Sequence, residues 1–337
     1  MKVPSLAARL KIDPYIVAIV GMVALASVVP CRGQSGVLMG HATNCAIALL
    51  FFLYGARLSR EAVMAGVTHW RLQLVVVFST FILFPVLGVG IANLARPLLS
   101  PDLSLGLIFL SMLPSTVQSS IAFTSIARGN VPAAVCCASL SNLLGIVLTP
   151  LLVGAVLGLH GQGLSLDAIG DITLQLFLPF LAGQTLRRWI GDWLRRNSGI
   201  LSYVDRGSIL LVVYTAFSEG VEHGIWHRLN AGNLTLLLLV NMVLLAAVLG
   251  ATTFLSRRLG FSRMDEIAIV FCGSKKSLAS GIPMANILFA GTSAGLMVMP
   301  LMLFHQIQLM ACAALARRYA AQPDAEKEPA AMLKASA

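Results

Sequence analysis

Two stretches of this 337-residue chain hold residue types that could do chemistry in places where apolar residues would be the rule. In VFCGSKKSLASGIPM (270–284), Lys275 and Lys276 stand side by side between Ser274 and Ser277 in a run otherwise small and apolar. In LPSTVQSSIAFTSIA (113–127), Pro114 is followed by Ser115, Thr116, Gln118, Ser119 and Ser120. A lysine at the centre of a bilayer costs about 2.5–3.5 kcal/mol on insertion scales, so an adjacent pair must face a polar cavity or a partner. A proline inside a helix has no N–H to donate and clashes with the preceding turn, so the second stretch opens at Pro114. Backbone opened at membrane depth is tolerated only where it is buried in protein or lines a wet cavity. The interiors of the neighbouring apolar runs contain no Asp or Glu, and the lysine run has only Asp265 and Glu266 at its start. The counter-charge of the lysines is then an anionic ligand, or one lysine is neutral. The chemistry on offer is the binding of a carboxylate or sulfate by Lys275 and Lys276, with Ser274, Ser115, Thr116, Gln118, Ser119, Ser120 and the opened backbone as hydrogen-bonding partners.

These residues need a membrane scaffold, and the composition supplies one. Apolar residues make up 57% of the chain and charged residues 11%, with a mean hydropathy of +0.84. A typical soluble domain is about a quarter charged. Ten apolar runs bounded by charge or Gly/Pro qualify as spans of about 20 residues: 15–30, 41–58, 72–95, 103–127, 131–158, 168–186, 204–222, 232–255, 264–289 and 292–317. With the N-terminus inside, nineteen of the 24 basic residues fall on inner loops and tails, against Arg32, Arg96 and Arg228 outside. That bias predicts a multi-pass protein of the plasma membrane, the bacterial inner membrane, with both termini cytoplasmic. It also accounts for the net charge of +10 without nucleic acid. The start MKVPSLAARLKI reads as leading into a retained first helix, because the next apolar run ends in PCRG and not in small residues.

An internal repeat organises the spans. LLFFLYGA (49–56) matches ILLVVYTA (209–216), QSSIA (118–122) matches KKSLA (275–279), and LTPLLV (148–153) matches VMPLML (298–303). The offsets, 150 to 160 residues, divide the chain into two halves of five spans. Five is odd, so the second half enters the membrane from the opposite side. The expected organisation is a cytoplasmic N-terminus (1–14), a first repeat (15–158), an inverted second repeat (159–318) and a disordered cytoplasmic tail (319–337). The fold class is an all-α membrane protein with discontinuous helices at spans four and nine.

The strings LPSTVQSSIAFTSIARGNVPAAV, SNLLGIVLTPLL, VVYTAFSE, VFCGSKKSLASGIPM and LMLFHQIQLM resemble the bile acid:sodium symporter family, solute carrier family ten, and most of all the bacterial branch similar to its atypical seventh human member. The resemblance covers Asp13 to Arg318. It implies core and panel domains, crossed and unwound helices at the transport site, and sodium as the coupling ion. At the family's sodium positions, however, Phe271 stands where a Glu is usual, Lys275 where a Gln is usual, and Thr80 near the place of a third-span Gln. Ser119 and Ser120 replace a Ser-Asn pair. Two hydroxyl positions of span five fall on Ala134 and Ala138, with Ser139 and Asn142 nearby. A lysine repels a cation at close range, which argues against the usual sodium coupling.

The expected function is alternating-access transport of an organic anion without a cofactor, with sodium as an open possibility. Thr80, Ser139, Asn142, Ser277, His305 and Gln306 are the candidate ion-site or coupling residues. Proton-coupled or uncoupled transport, with a lysine or His305 changing charge, and a ligand-binding membrane sensor are the alternatives. An enzyme is not expected: the spans hold no HExxH, GxSxG or paired aspartates, and the six cysteines show no metal-ligand spacing.

Overall fold

A computed structural model describes residues 14–57, 69–159, 166–222, 224, 231–289 and 294–322. The first thirteen residues and the tail beyond 322 lie outside the described residues. Among those described there are helices and no strands. In chain order they are α1 (Pro14–Val28), α2 (Gly33–Arg57), α3 (Trp70–Ala95), α4 (Pro101–Met112), α5 (Val117–Ile126), α6 (Val131–Leu159), α7 (Leu166–Arg196), α8 (Ser198–Glu222), α9 (Ala231–Arg258), α10 (Arg263–Gly273), α11 (Leu278–Leu288) and α12 (Ala294–Ala321).

Six of these, α2, α3, α6, α8, α9 and α12, are long and apolar enough to cross a membrane. A seventh candidate is α4 with α5, a pair bent by 62°. Large apolar side chains such as Val37, Leu38, Leu74, Val86 and Leu94 face outward, as lipid contact requires and water would not reward. Several helices depart from the expected spans. α2 starts eight residues before position 41, and α7 runs ten residues past 186, because its last turns carry Arg195, Arg196, Trp189 and Trp193, a basic and aromatic surface suited to a membrane interface. α12 ends at Ala321, three residues into the expected tail, since Tyr319 is buried against Phe271 and its hydroxyl donates to Glu266 at 2.8 Å.

The helices form two sets. In the first, α2 and α7 cross in direct backbone contact: Gly55 lies against the carbonyl of Phe180 and Gly183 against the carbonyl of Phe52. Small residues at such crossings let backbones approach in lipid. α1 packs along α8, where Tyr214 Oη donates to the carbonyl of Val29 at 2.7 Å, and Thr43 and Thr215 share a 2.8 Å hydrogen bond between α2 and α8. In the second set, α4 lies on α12 with Gly106 against Met297, α3 on α4, and α9 on α10. The first turn of α10 is clamped by Arg257, which meets both carboxylate oxygens of Glu266 at 3.0 Å. Asn130 donates to Asp265 at 2.8 Å in the same region.

Candidate functional site

The two sequence stretches singled out above meet inside the second set. The residue before a proline is disfavoured in the α region, and Leu113 is extended (ψ 155°) where α4 ends. Pro114 and Ser115 follow, and the chain re-enters a helix after Thr116. The other break falls at Ser274–Ser277, at the lysines themselves and not at Pro283, which lies within α11. The two openings cross: Ser277 N–H donates to the carbonyl of Pro114 at 2.9 Å, and Thr116 Oγ1 donates to the carbonyl of Lys276 at 2.8 Å.

Carbonyls freed at the first opening take donors from other elements, as buried backbone demands. Met112 accepts from Thr149 Oγ1 at 2.9 Å, Leu113 from Lys276 Nζ at 2.6 Å, and Ser115 from Asn142 Nδ2 at 2.9 Å. Ser115 N–H donates to Ser141 Oγ at 3.0 Å. At the second opening, Phe271 accepts from Ser120 Oγ at 2.9 Å and Val270 from Ser274 Oγ at 2.6 Å. Gln308 closes the Lys276 backbone, its oxygen accepting from the N–H and its nitrogen donating to the carbonyl, both at 2.9 Å. Ser280 Oγ donates to Asn142 Oδ1 at 2.9 Å, tying α11 to α6.

The lysines have different environments. Lys276 Nζ also donates to the carbonyl of Thr80 at 2.8 Å and lies 4.2 Å from the centre of the Phe84 ring. That carbonyl is open for a local reason. Ser79–Leu83 is a π-helical turn in which Phe84 N–H reaches back five residues to Ser79, and Pro85, the next residue, has no N–H. Lys275 Nζ is buried with no hydrogen-bond partner, 3.9 Å from the centre of Phe123 and 5.4 Å from that of Phe271. Thr80 Oγ1 and Ser119 Oγ are also buried without a partner.

Beside the crossing, between the two helix sets, lies a cavity of about 570 Å³. Of the residues singled out in the sequence, Thr116, Gln118, Ser119, Ser139, Asn142, Ser277 and His305 line it. Neither ammonium does in this conformation; Ser115, Ser120, Ser274 and Thr80 are buried in the packing, and Gln306 lies off the cavity wall. His305 Nδ1 is 2.9 Å from Gln308 Nε2. The first turns of both α5 (Val117, Gln118, Ser119) and α11 (Leu278, Ala279, Ser280) open into this space. A helix N-terminus carries about half a positive charge, so two of them bias the cavity toward anions. The far wall adds Arg57 and Arg206, with Asp205 paired to Arg57 and Arg206 lying 5.4 Å from the ring centre of Tyr15.

Gln308, Arg57 and Arg206 are the site positions outside the candidates read from the sequence. The spacing of Gln308 three residues after His305 was the available signal.

The crossed, opened helices and the adjoining cavity define a class, the multi-pass membrane transporter. The chain matches the profile of the SBF-like CPA transporter family over residues 13–321 and belongs to that family. It is 59% identical to the protein PA2026 of Pseudomonas aeruginosa over 313 residues, covering 93% of this chain and 94% of that one. It is 56% identical to YfeH of Escherichia coli over 313 residues, with the same two coverages, 93% and 94%. It is also 31% identical to the sodium/bile acid cotransporter 7 of Xenopus tropicalis over 313 residues, 90% of each chain.

Proposed function

We propose that the chain is a secondary transporter of an organic anion that works by alternating access, with the cavity at the crossing as its binding site. The observation that carries this reading is that two half-helix N-termini, of α5 and α11, open into the same space as Arg57 and Arg206. Broken helices that aim N-termini at an anionic group are a general device of transporters. The apolar lining from Phe51, Leu143, Ile146, Phe180 and Met284 suits an amphipathic substrate.

The reading includes ten spans in two inverted repeats, 15–158 and 159–318, with both ends on the cytoplasmic side of the bacterial inner membrane. Packing supports it in pairs. α2 crosses α7 as α1 packs along α8, and α3 lies on α4 as α9 lies on α10. Asn142 on α6 serves the first opening as Gln308 on α12 serves the second.

Sodium does not fit the usual way. The carbonyls of Thr80 and Leu113 are engaged by an ammonium, and Phe271 offers no carboxylate. The organic anion is therefore carried without the family's usual sodium pair. A proton-coupled variant of the reading is favoured by one observation, the buried and unpartnered Nζ of Lys275.

The test is thermal stability of the purified protein against a panel of organic anions, in sodium, potassium or choline salts, followed by uptake into proteoliposomes. Stabilisation by an anion that is equal in the three salts, with matching uptake, is the expected result. Anion binding that appears only in sodium overturns the sodium-independent part, and no anion response in any salt overturns the whole.

A further inference from the structure

The Lys276 side chain is fully enclosed (0% exposed) and pairs with no carboxylate among the described residues. Its ammonium sees two main-chain carbonyl oxygens, of Thr80 at 2.8 Å and Leu113 at 2.6 Å, and the face of the Phe84 ring at 4.2 Å. Carbonyl dipoles that replace a hydration shell, together with an aromatic face, are the surroundings that suit a bare monovalent cation. Both carbonyls are orphaned by their own sequence: Thr80 by the π-helical turn and Pro85, Leu113 by the extended break before Pro114. Each lies on a different helix, α3 and α4, and the lysine comes from a third segment between α10 and α11. The ammonium thus bridges three elements at the crossing.

We propose that Lys276 is a built-in monovalent cation: its ammonium occupies, on a covalent tether, a carbonyl site at the crossing that would otherwise take an alkali or alkylammonium ion. A tethered charge cannot be released to either side of the membrane. This position therefore holds the broken helices together in every step of a cycle while contributing no ion to the transport stoichiometry. The inference rests on the geometry of Lys276 and not on the anion-transport reading, so either can fail alone.

The test needs no substrate. Thermal unfolding of the full-length protein in detergent is measured for wild type, Lys276→Met and Lys276→Ala in choline, sodium, potassium and ethylammonium chlorides at equal ionic strength. Wild type is expected to unfold at the same temperature in all four. Lys276→Ala, which removes both charge and stem, is expected to unfold about 5 °C or more lower in choline and to recover most of that loss in ethylammonium. Lys276→Met keeps the bulk of the stem and is expected to be destabilised in choline without ethylammonium rescue, because no room is left for the ion. Specific stabilisation of wild type by sodium or potassium overturns the proposal. So does a Lys276→Met protein as stable as wild type in choline, or a Lys276→Ala protein that none of the cations restores.

Discussion

The side-chain amide of Gln308 grips the main chain of Lys276 on both sides, accepting from its N–H and donating to its carbonyl, each at 2.9 Å. The lysines lie in the break between α10 and α11, and α12 supplies partners for the Lys276 main chain there. Asn142 performs a related task for Ser115, so the two openings are stitched to different helices, α12 and α6.

Gln308→Leu removes both bonds and leaves the buried Lys276 N–H unpaired, while the Lys276 carbonyl keeps its bond from Thr116 Oγ1. A buried group left unsatisfied costs about 1–3 kcal/mol, so a loss of that size in stability is expected, seen as a lower melting temperature in detergent. An unchanged melting temperature would show that water or a rearranged His305 takes over the amide's role.

Lys275→Met is expected to do the reverse. Lys275 Nζ faces the rings of Phe123 and Phe271 and has no hydrogen bond, and replacing a buried charge by a well-packed apolar side chain is often stabilising by about 1–4 kcal/mol. The melting temperature should stay level or rise. If proton coupling runs through this lysine, uptake loses its response to a proton gradient in the same variant; uptake that still collapses with an uncoupler sinks that role for Lys275.

Gly183→Val tests the crossing of α2 and α7. A Cβ at Gly183 would overlap the carbonyl of Phe52 and sit 2.9 Å from Ala56 N, and both are backbone atoms that cannot rotate away. Overpacking costs about 1–3 kcal/mol or more. The expected outcome is loss of monodisperse protein on size exclusion, while Gly21→Ala, at a position with open space, is tolerated.

Arg206→Glu tests the sign of the cavity. Arg206 is exposed and is engaged with the Tyr15 ring, so its loss should spare the fold. Anion affinity is expected to fall at least about tenfold, equivalent to about 1.4 kcal/mol, with Arg206→Ala intermediate. Equal affinity in all three proteins, measured by anion-dependent thermal shift, would remove the arginine from the site.

Much of the architecture could be read along the chain because its causes are local. Apolar runs long enough for a bilayer, the Pro114 break and the paired lysines each follow from a few adjacent residues, and the break appears where the proline demanded it. The second break was legible only as a region. Pro283 is tolerated inside α11 and the helix opens at Ser274–Ser277 instead, where Thr116 and Gln308 supply partners for Lys276 that are far away in sequence.

What the amino-acid order determined by itself was that this protein is helical, lives in a bilayer and carries two polar openings among apolar runs, since hydropathy and proline act over a turn or two of helix. Tertiary structure alone decided what the openings face. It turned Lys276 onto the carbonyls of Thr80 and Leu113, walled Lys275 behind Phe123 and Phe271, and lined the cavity with two helix N-termini, the Arg57–Asp205 pair and Arg206. A side chain's charge can be read from its letter, but its partner is set by which carbonyls and ring faces the crossing of distant helices brings within about 3–4 Å.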